Sequence, residues 1–182
     1  MSKTIAVNAG SSTLKFKLFD MPSEEVVAEG TIERIGEKMG HAKIKYGDGQ
    51  KHEEERAFAD HGTAVKYLLD QLISLKIVKS YDEITAVGHR VVAGGEYFKD
   101  SAVITDDVIA KIDSLAEYAP LHDPAELVGI KEFRKVLPNA FAVAVFDTSF
   151  HVNMPKKNAL YSVPYEWYEK YGARKYGAHG TS

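Results

Sequence analysis

The chain has 182 residues, a formal net charge of −3 and no cysteine, which excludes disulfides and thiolate metal sites. Its 45% hydrophobic and 27% charged content is typical of a globular protein, and its charge favours neither nucleic acid nor an anionic membrane as the main partner. No apolar run reaches membrane-spanning length, and the opening "MSKTIAVN" is too short and too polar for a signal peptide. We therefore expect a cytoplasmic protein.

The first half of the sequence predicts a run of strands. Thr4 to Asn8 is a short apolar stretch, and Leu14 to Leu18 alternates apolar residues with lysines, as a half-buried strand does. Further strands are predicted over 26–35, 42–46 and 50–58. Consecutive strands of this kind favour an antiparallel meander.

The second half alternates helices with strands. Apolar residues at helical spacing predict helices over 65–73 and 105–116, and a third helix that begins at Asp123. Strands are predicted over 84–92 and 140–146, and the unbroken apolar run of the latter indicates burial on both faces. The order of elements predicts an α/β fold with a mixed sheet flanked by helices.

A loop of small and hydroxyl-bearing residues joins the first two strands. Gly10 permits close backbone approach, and the hydroxyls of Ser11, Ser12 and Thr13 add to the N–H groups of the loop, so that it could hold a phosphate. Lys15, on the polar face of the second strand, could reach an anion held there. The alternative is a serine-rich hairpin with a solvated lysine, and the strand that follows excludes a P-loop.

Two charged residues lie at the ends of predicted strands. Arg90, in "GHRVVAGG", has a planar fork that matches a carboxylate or a phosphate, although an internal salt bridge is the commoner role for a buried arginine. Asp147 follows the apolar strand, where ligands bind in open α/β sheets, and could orient a group or hold a metal-bound water. Its alternative role is to cap the following turn. We interpret His89 as a hydrogen-bonded core histidine.

Two other histidines occupy loops that could approach a ligand. His122 precedes the N-terminus of the third helix, which attracts anions, or merely caps the turn. His179 lies between small residues near the end of the chain, with a loop histidine of no role as the alternative. His41, His52 and His61 have polar neighbours, and we expect them to be solvated. Together the candidates are suited to anion handling and phosphoryl transfer.

Five motifs in chain order resemble the acetate kinases and related acyl kinases: "NAGSSTLK", "GHRVVAGG", "APLHDP", "FDTSFH" and "YGARKYGAHGTS". The resemblance spans residues 8–182 and implies the actin, sugar-kinase and chaperone-ATPase superfamily, with ribonuclease-H-like domains on either side of a cleft. It implies that residues 1–147 form most of the first domain and that 148–182 begin a second, truncated one. It also implies a full-length protein roughly twice as long.

For the nucleotide, the resemblance implies ATP and Mg²⁺, with Asn8 near the metal. The residues it implies for nucleotide binding are Gly10, Ser11, Ser12, Thr13 and Lys15. The reaction would be reversible, direct in-line transfer of the γ-phosphoryl of ATP to acetate, which gives acetyl phosphate and ADP. The full-length protein is expected to be a homodimer, and the 182-residue chain alone to be inactive.

For the acyl substrate, the resemblance implies that Arg90 holds the acetate carboxylate. The residues it implies beside the acetate and the transferring phosphoryl are Val92, Leu121 and His122, and the catalytic residues are Asp147 and His179. Because acetate is already ionised at pH 7, it needs no general base. We therefore interpret Asp147 as a residue that orients Arg90 or a metal-bound water.

Two alternatives to acetate kinase are a propionate- or butyrate-preferring acyl kinase and a non-enzymatic binding module with an ATPase fold. An arginine at position 90 that binds a carboxylate in the cleft would have no role in a binding module, so it argues against that alternative. Ala178 stands where the family often has a bulky phenylalanine that closes the methyl pocket. This predicts a roomier acyl pocket that accepts propionate better than is typical of the family.

Overall fold

The computed structural model describes residues 2–116 and 123–178, and their strands form one mixed sheet. The strands are β1 (Ser2–Ala9), β2 (Thr13–Met21), β3 (Glu25–Glu33), β4 (Gly40–Tyr46), β5 (Gln50–Arg56), β6 (Ile84–Val91), β7 (Ala102–Val103) and β8 (Phe141–Phe146). Their order across the sheet is β5-β4-β3-β2-β1-β6-β8-β7. β1 to β5 form the predicted antiparallel meander, β6 pairs parallel with β1, β8 pairs parallel with β6, and β7 is antiparallel to β8.

The helices within the described residues are α1 (His61–Ser74), α2 (Asp106–Ser114), α3 (Asp123–Val136), α4 (Lys156–Ala159) and α5 (Tyr165–Tyr171). Among them, the three longest, α1, α2 and α3, cover one face of this sheet. α1 and α3 pack against each other, and α3 also contacts β1 and β6. None of these helices has both the length and the apolar character needed to cross a bilayer.

Strand alternation divides the sheet into a covered face and an open face. On β1, Ile5, Val7 and Ala9 are buried in the core, whereas Asn8 points to the opposite side. The same division holds on β2, where the lysines are exposed and their apolar neighbours are buried. We call the face that carries Asn8 the open face.

Strand β8 corrects the prediction of burial on both faces. Ala144 and Phe146 are buried, but Phe141 is 56% exposed and Val145 is 36% exposed. The two exposed residues alternate with the buried ones and so lie on the open face. An apolar run shows that a strand is central in a sheet, but it cannot show how many helical layers cover it.

Two helix starts are set by N-caps. The Thr105 hydroxyl accepts a hydrogen bond from the backbone N–H of Val108 at 3.2 Å and caps α2. α1 begins four residues before the predicted position, because Asp60 accepts a hydrogen bond from the backbone N–H of Thr63 at 2.7 Å and caps the first turn.

Candidate functional site

A cleft of about 700 Å³ lies on the open face and is lined by residues of β1, β2, β3, β4 and β6. The residues that line it are Ala6, Val7, Asn8, Lys15, Phe16, Lys17, Glu29, Gly30, Thr31, Glu33, His41, Lys43, Lys45 and Arg90. Strand pairing sets Asn8 directly opposite Lys15, and the parallel β6 brings Arg90 beside them. Three of the predicted site residues therefore share one surface.

Arg90 is the centre of a hydrogen-bonded cluster in this cleft. Its Nε donates to both carboxylate oxygens of Asp147 at 3.1 Å, and its Nη2 donates to Oδ2 at 2.6 Å. Its Nη1 donates to Oδ1 of Asn8 at 3.2 Å. The cluster joins β1, β6 and the turn after β8, three elements far apart in the sequence. The internal salt bridge that the sequence left open as an alternative is thus present.

Burial and charge within the cluster are uneven. Asp147 is 1% exposed, whereas one third of the Arg90 side chain is accessible from the cleft, so Arg90 is less buried than the sequence indicated. The hydrogen bonds that Arg90 donates to the Asp147 carboxylate raise the pKa of Arg90 above its usual value, against the opposing effect of burial. Arg90 is thus a permanent cation whose buried counterion fixes its orientation.

Glu126 of α3 is buried near this cluster and was not among the predicted site residues. Its Oε2 accepts a hydrogen bond from the backbone N–H of Val92 at 3.1 Å, and its charge also raises the pKa of Arg90. The hydroxyl of Thr148, the residue after Asp147, likewise accepts a hydrogen bond from a backbone N–H after β6, that of Gly94, at 2.9 Å. These contacts join segments distant in sequence, which local patterns do not reveal.

The loop between β1 and β2 is a tight turn closed by a hydrogen bond from the N–H of Gly10 to the carbonyl of Thr13 at 2.8 Å. Thr13 is the first residue of β2 and not a loop residue as predicted. Ser11 is exposed and Ser12 is partly exposed, and their hydroxyls have no hydrogen-bond partner among the described residues. The loop therefore offers unpaired hydroxyls at the edge of the sheet.

The remaining predicted site residues are only partly described. Val92 is half-buried just after β6. The residues that lie outside the described ranges are Leu121, His122 and His179. Hence the structure brings together Asn8, Arg90 and Asp147 with Lys15, and it leaves the histidine roles untested.

The prediction that three histidines are solvated is wrong for His61. This side chain is 8% exposed, and its Nε2 lies 2.7 Å from the carbonyl oxygen of Gly10. His41 lines the cleft, and His52 bonds to the hydroxyl of Tyr67 at 3.2 Å. The polar neighbours of His61 in the sequence lie in the first turn of α1. One side of this helix packs against the core, and His61 lies on that side.

Asn8 offers one amide oxygen on the open face, which is compatible with a magnesium ion held mainly by a nucleotide. Within residues 2–116 and 123–178 there is no cluster of three or more histidine or acidic side chains of the kind that holds a metal without a substrate. Mg²⁺ commonly takes one or two protein oxygens and completes its octahedron with phosphates and waters. The Asn8 amide oxygen accepts one hydrogen bond from Arg90 and has a second lone pair.

Comparisons with known proteins show the family of the chain. The model of the acetokinase family matches residues 3–182. The chain is 83% identical over its whole length to an acetate kinase of Limosilactobacillus fermentum and 65% identical to one of Enterococcus faecalis. It spans 46% of the length of each of these relatives.

Solved structures of two acyl kinases have the same fold as this chain. The crystal structure of Porphyromonas gingivalis acetate kinase superposes with a TM-score of 0.93 at 43% identity, and a propionate kinase from Francisella tularensis with 0.90 at 38%. Both matches cover 100% of this chain and 46% of the other. They confirm the predicted ribonuclease-H-like α/β fold. By its sequence over residues 3–182 and by this fold, the chain belongs to the acetokinase family.

Proposed function

We propose that the full-length protein is an acetate kinase, which reversibly transfers the γ-phosphoryl of ATP to acetate, and that this chain supplies its acyl-substrate arginine and its phosphate-binding hairpin. The proposal rests on the guanidinium of Arg90. The buried carboxylate of Asp147 holds it in the cleft, next to Asn8. Arginine fixed in this way is pre-oriented for a planar anion.

Arg90 keeps binding capacity after its contacts within the chain. A guanidinium has five N–H groups, and the hydrogen bonds of Arg90 engage Nε and one N–H on each terminal nitrogen. Two N–H groups are left within the described part of the chain, one on each terminal nitrogen. The acetate carboxylate would accept hydrogen bonds from them.

The charges that line the cleft favour anionic substrates. Its basic residues are Lys15, Lys17, Lys43, Lys45 and Arg90, and its acidic residues are Glu29 and Glu33. Such an excess of positive charge in a concave surface raises the local concentration of anions. Both ATP and acetate would be attracted, although the chain as a whole has a net charge of −3.

The proposed chemistry relies on position and charge. Acetate is ionised at neutral pH, so no residue has to remove a proton from it before it attacks the γ-phosphoryl. Mg²⁺ bound with ATP would neutralise phosphate charge, and the Asn8 amide oxygen would help to hold it. Lys15 and the hairpin of Ser11, Ser12 and Thr13 would hold the phosphates.

Asp147 acts in this proposal through Arg90. Its carboxylate is nearly fully buried and receives three hydrogen-bond contacts from the guanidinium. It would keep the arginine fork at the correct angle, and we propose it as a positioning residue and not as a base. The transition-state contact proposed for His179 and the roles of Leu121 and His122 rest on the family motifs alone.

The decisive experiment measures acetyl phosphate formation by the full-length protein. Hydroxylamine would trap the product made from ATP, Mg²⁺ and acetate. We expect Arg90→Ala to lower turnover by about 10²–10³-fold, because a charged contact of the transition state is lost. Arg134→Ala is the matched control, since Arg134 forms a surface pair with Asp106 away from the cleft.

Equal activity in the Arg90→Ala and wild-type proteins would reject the role of Arg90. Absence of product in the wild type would reject acetate as substrate, and propionate would be tried next, since one superposed structure is a propionate kinase. Activity with neither acid would favour the binding-module alternative.

We further propose that the full-length protein is a cytoplasmic homodimer. The boundary near residue 147 is proposed as the end of the first domain, and residues 148–182 as the start of the second. Light scattering of the full-length protein would test the oligomeric state.

A further inference from the structure

The phosphate-binding hairpin has a support that its own motif does not contain. His61, the first residue of α1, lies 51 positions after Gly10 and reaches back to it. Its Nε2 is 2.7 Å from the Gly10 carbonyl oxygen, and the side chain is 8% exposed. Because a carbonyl oxygen can only accept, Nε2 carries the proton and donates it.

This hydrogen bond fixes the peptide group at the tip of the hairpin. A trans peptide is planar, and its C=O and N–H point in opposite directions. With the Gly10 carbonyl held toward His61, the N–H of Ser11 is directed away from α1. The orientation of this donor is therefore set by a residue of the helix and not by the loop alone.

The other backbone contacts of the hairpin fix different groups. The N–H of Gly10 donates to the carbonyl of Thr13 at 2.8 Å, and the carbonyl of Ser12 accepts from the N–H of Ile35 at 2.9 Å. Neither contact involves the peptide between Gly10 and Ser11. The contact from His61 supplies the missing constraint on that peptide.

His61 is itself held rigidly. The Asp60 carboxylate accepts hydrogen bonds from the N–H and the hydroxyl of Thr63 at 2.7 and 2.8 Å, which fixes the first turn of α1. A Cβ at Gly62 would lie 3.1 Å from Cδ of Glu132, so this turn packs closely on α3. The imidazole therefore projects from a fixed base.

We propose that His61 is a positioning residue of the nucleotide site: its Nε2–H holds the Gly10–Ser11 peptide in the orientation that presents the hairpin to phosphate. The inference rests on the proposed binding of nucleotide phosphates by this hairpin. A purely structural histidine would affect folding stability alone. A positioning histidine affects the nucleotide more than the acyl substrate.

The test compares His61→Leu and His61→Gln in the full-length protein. Leucine removes the donor, whereas the amide nitrogen of glutamine can occupy the position of Nε2. We expect His61→Leu to raise the KM for ATP and the calorimetric Kd for MgADP about tenfold, with the KM for acetate changed less than about twofold. His61→Gln should recover most of the lost affinity.

His52→Leu is the matched control, because His52 contacts the hydroxyl of Tyr67 on α1 without contacting the hairpin. It should bind MgADP like the wild type. Should the leucine variant not fold, His61→Asn replaces it, since its shorter amide does not reach Gly10. Thermal melting by circular dichroism identifies the folded variants.

Unchanged MgADP affinity in His61→Leu would overturn the inference. So would equal losses in the leucine and glutamine variants with the KM for acetate rising in step. If the wild type binds MgADP but forms no acetyl phosphate, the proposed reaction fails, while the same order of affinities would still support the inference. A wild type that does not bind MgADP overturns both.

Discussion

Adjacent residues of β6 point to opposite faces of the sheet. Arg90 points to the cleft, whereas His89 points to the covered face, where it is 3% exposed and meets the ring of Phe133 edge-on at 5.4 Å. Its Nε2 is buried without a hydrogen-bond partner among the described residues, unlike the hydrogen-bonded histidine that the sequence predicted. Burial lowers the pKa of His89 to about 4, so it is neutral at pH 7.

This buried histidine predicts a loss of stability in mild acid. The pKa is lowered on folding, so between about pH 6.5 and 4 the unfolded chain takes up a proton that the folded chain does not. The contribution of His89 is complete above pH 6.5, and the free energy of unfolding falls by about 1.4 kcal/mol per pH unit as pH drops through this window.

Urea unfolding at several pH values would measure this effect. His89→Leu keeps the volume nearly constant and removes the titration, so the slope of its unfolding free energy against pH should be shallower than that of the wild type between pH 6.5 and 4. Parallel slopes for the two proteins would contradict the neutral, buried state of His89.

Individual residues show what could and what could not be predicted from the sequence. Arg90 and Asp147 were recognisable as candidates because each lies at a strand end, but their pairing needed the parallel alignment of β6 with β8. His61 was missed because an N-terminal helix turn contains the same polar residues as a loop. No local pattern reveals a contact across 51 positions.

Among the elements, the meander was predicted most closely. Its alternation of apolar and polar residues reflects one covered and one open face, and both faces are visible in the sequence of β2. The two-residue β7 and the short α4 and α5 were not predicted, because so few residues carry no measurable period. Their positions depend on tertiary contacts, which the local sequence does not show.

Strand β3 contains a glycine whose missing side chain is required. A Cβ at Gly30 would lie 2.4 Å from the backbone carbonyl oxygen of Lys43 on β4 and 2.6 Å from Cε1 of Phe16 on β2. The carbonyl belongs to the sheet ladder and cannot move freely. We expect Gly30→Ala to lower the free energy of unfolding by about 2 kcal/mol or more.

Gly88, also within a strand, is the matched control. A Cβ there would meet nothing within 4 Å, so Gly88→Ala should be neutral or slightly stabilising because it restricts the unfolded chain. Denaturant unfolding of both variants tests the packing of the meander. Equal stability of the two would mean that β3 and β4 can separate without cost.

At the scale of the whole molecule, the segment after α5 is tied to the loop that follows β6. Nη1 of Arg174 donates to Oε1 of Glu96 at 2.9 Å, and the hydroxyl of Tyr168 donates to the same oxygen at 3.2 Å. The N–H of Lys175 donates to the carbonyl of Ala159 at 2.7 Å. These contacts fix the chain just before Ala178.

The same segment has little freedom at Gly177. A Cβ at this position would lie 2.1 Å from Cδ2 of His151, so the backbone rests directly on the imidazole ring. Ala178 follows it and is exposed. Because Ala178 is exposed among the described residues, a larger side chain there does not have to displace the core.

Ala178 provides the last prediction, which concerns acyl selectivity in the full-length protein. With a methyl group in place of the phenylalanine common in the family, the acyl pocket should admit an extra methylene. Ala178→Phe should lower the ratio of kcat/KM for propionate to that for acetate by about tenfold, because one methylene in a closed pocket is worth about 1–3 kcal/mol.

The measurement is direct competition between the two acids with ATP, with Ala178→Ser as a control of nearly unchanged volume. The serine variant should keep the wild-type ratio. An unchanged ratio in the phenylalanine variant would place position 178 outside the acyl pocket, and chain-length selectivity would then have to come from Val92 and Leu121. Because Ala178 lies on an exposed, anchored segment, a fall in the ratio without a fall in melting temperature would identify a change in the pocket and not in the fold.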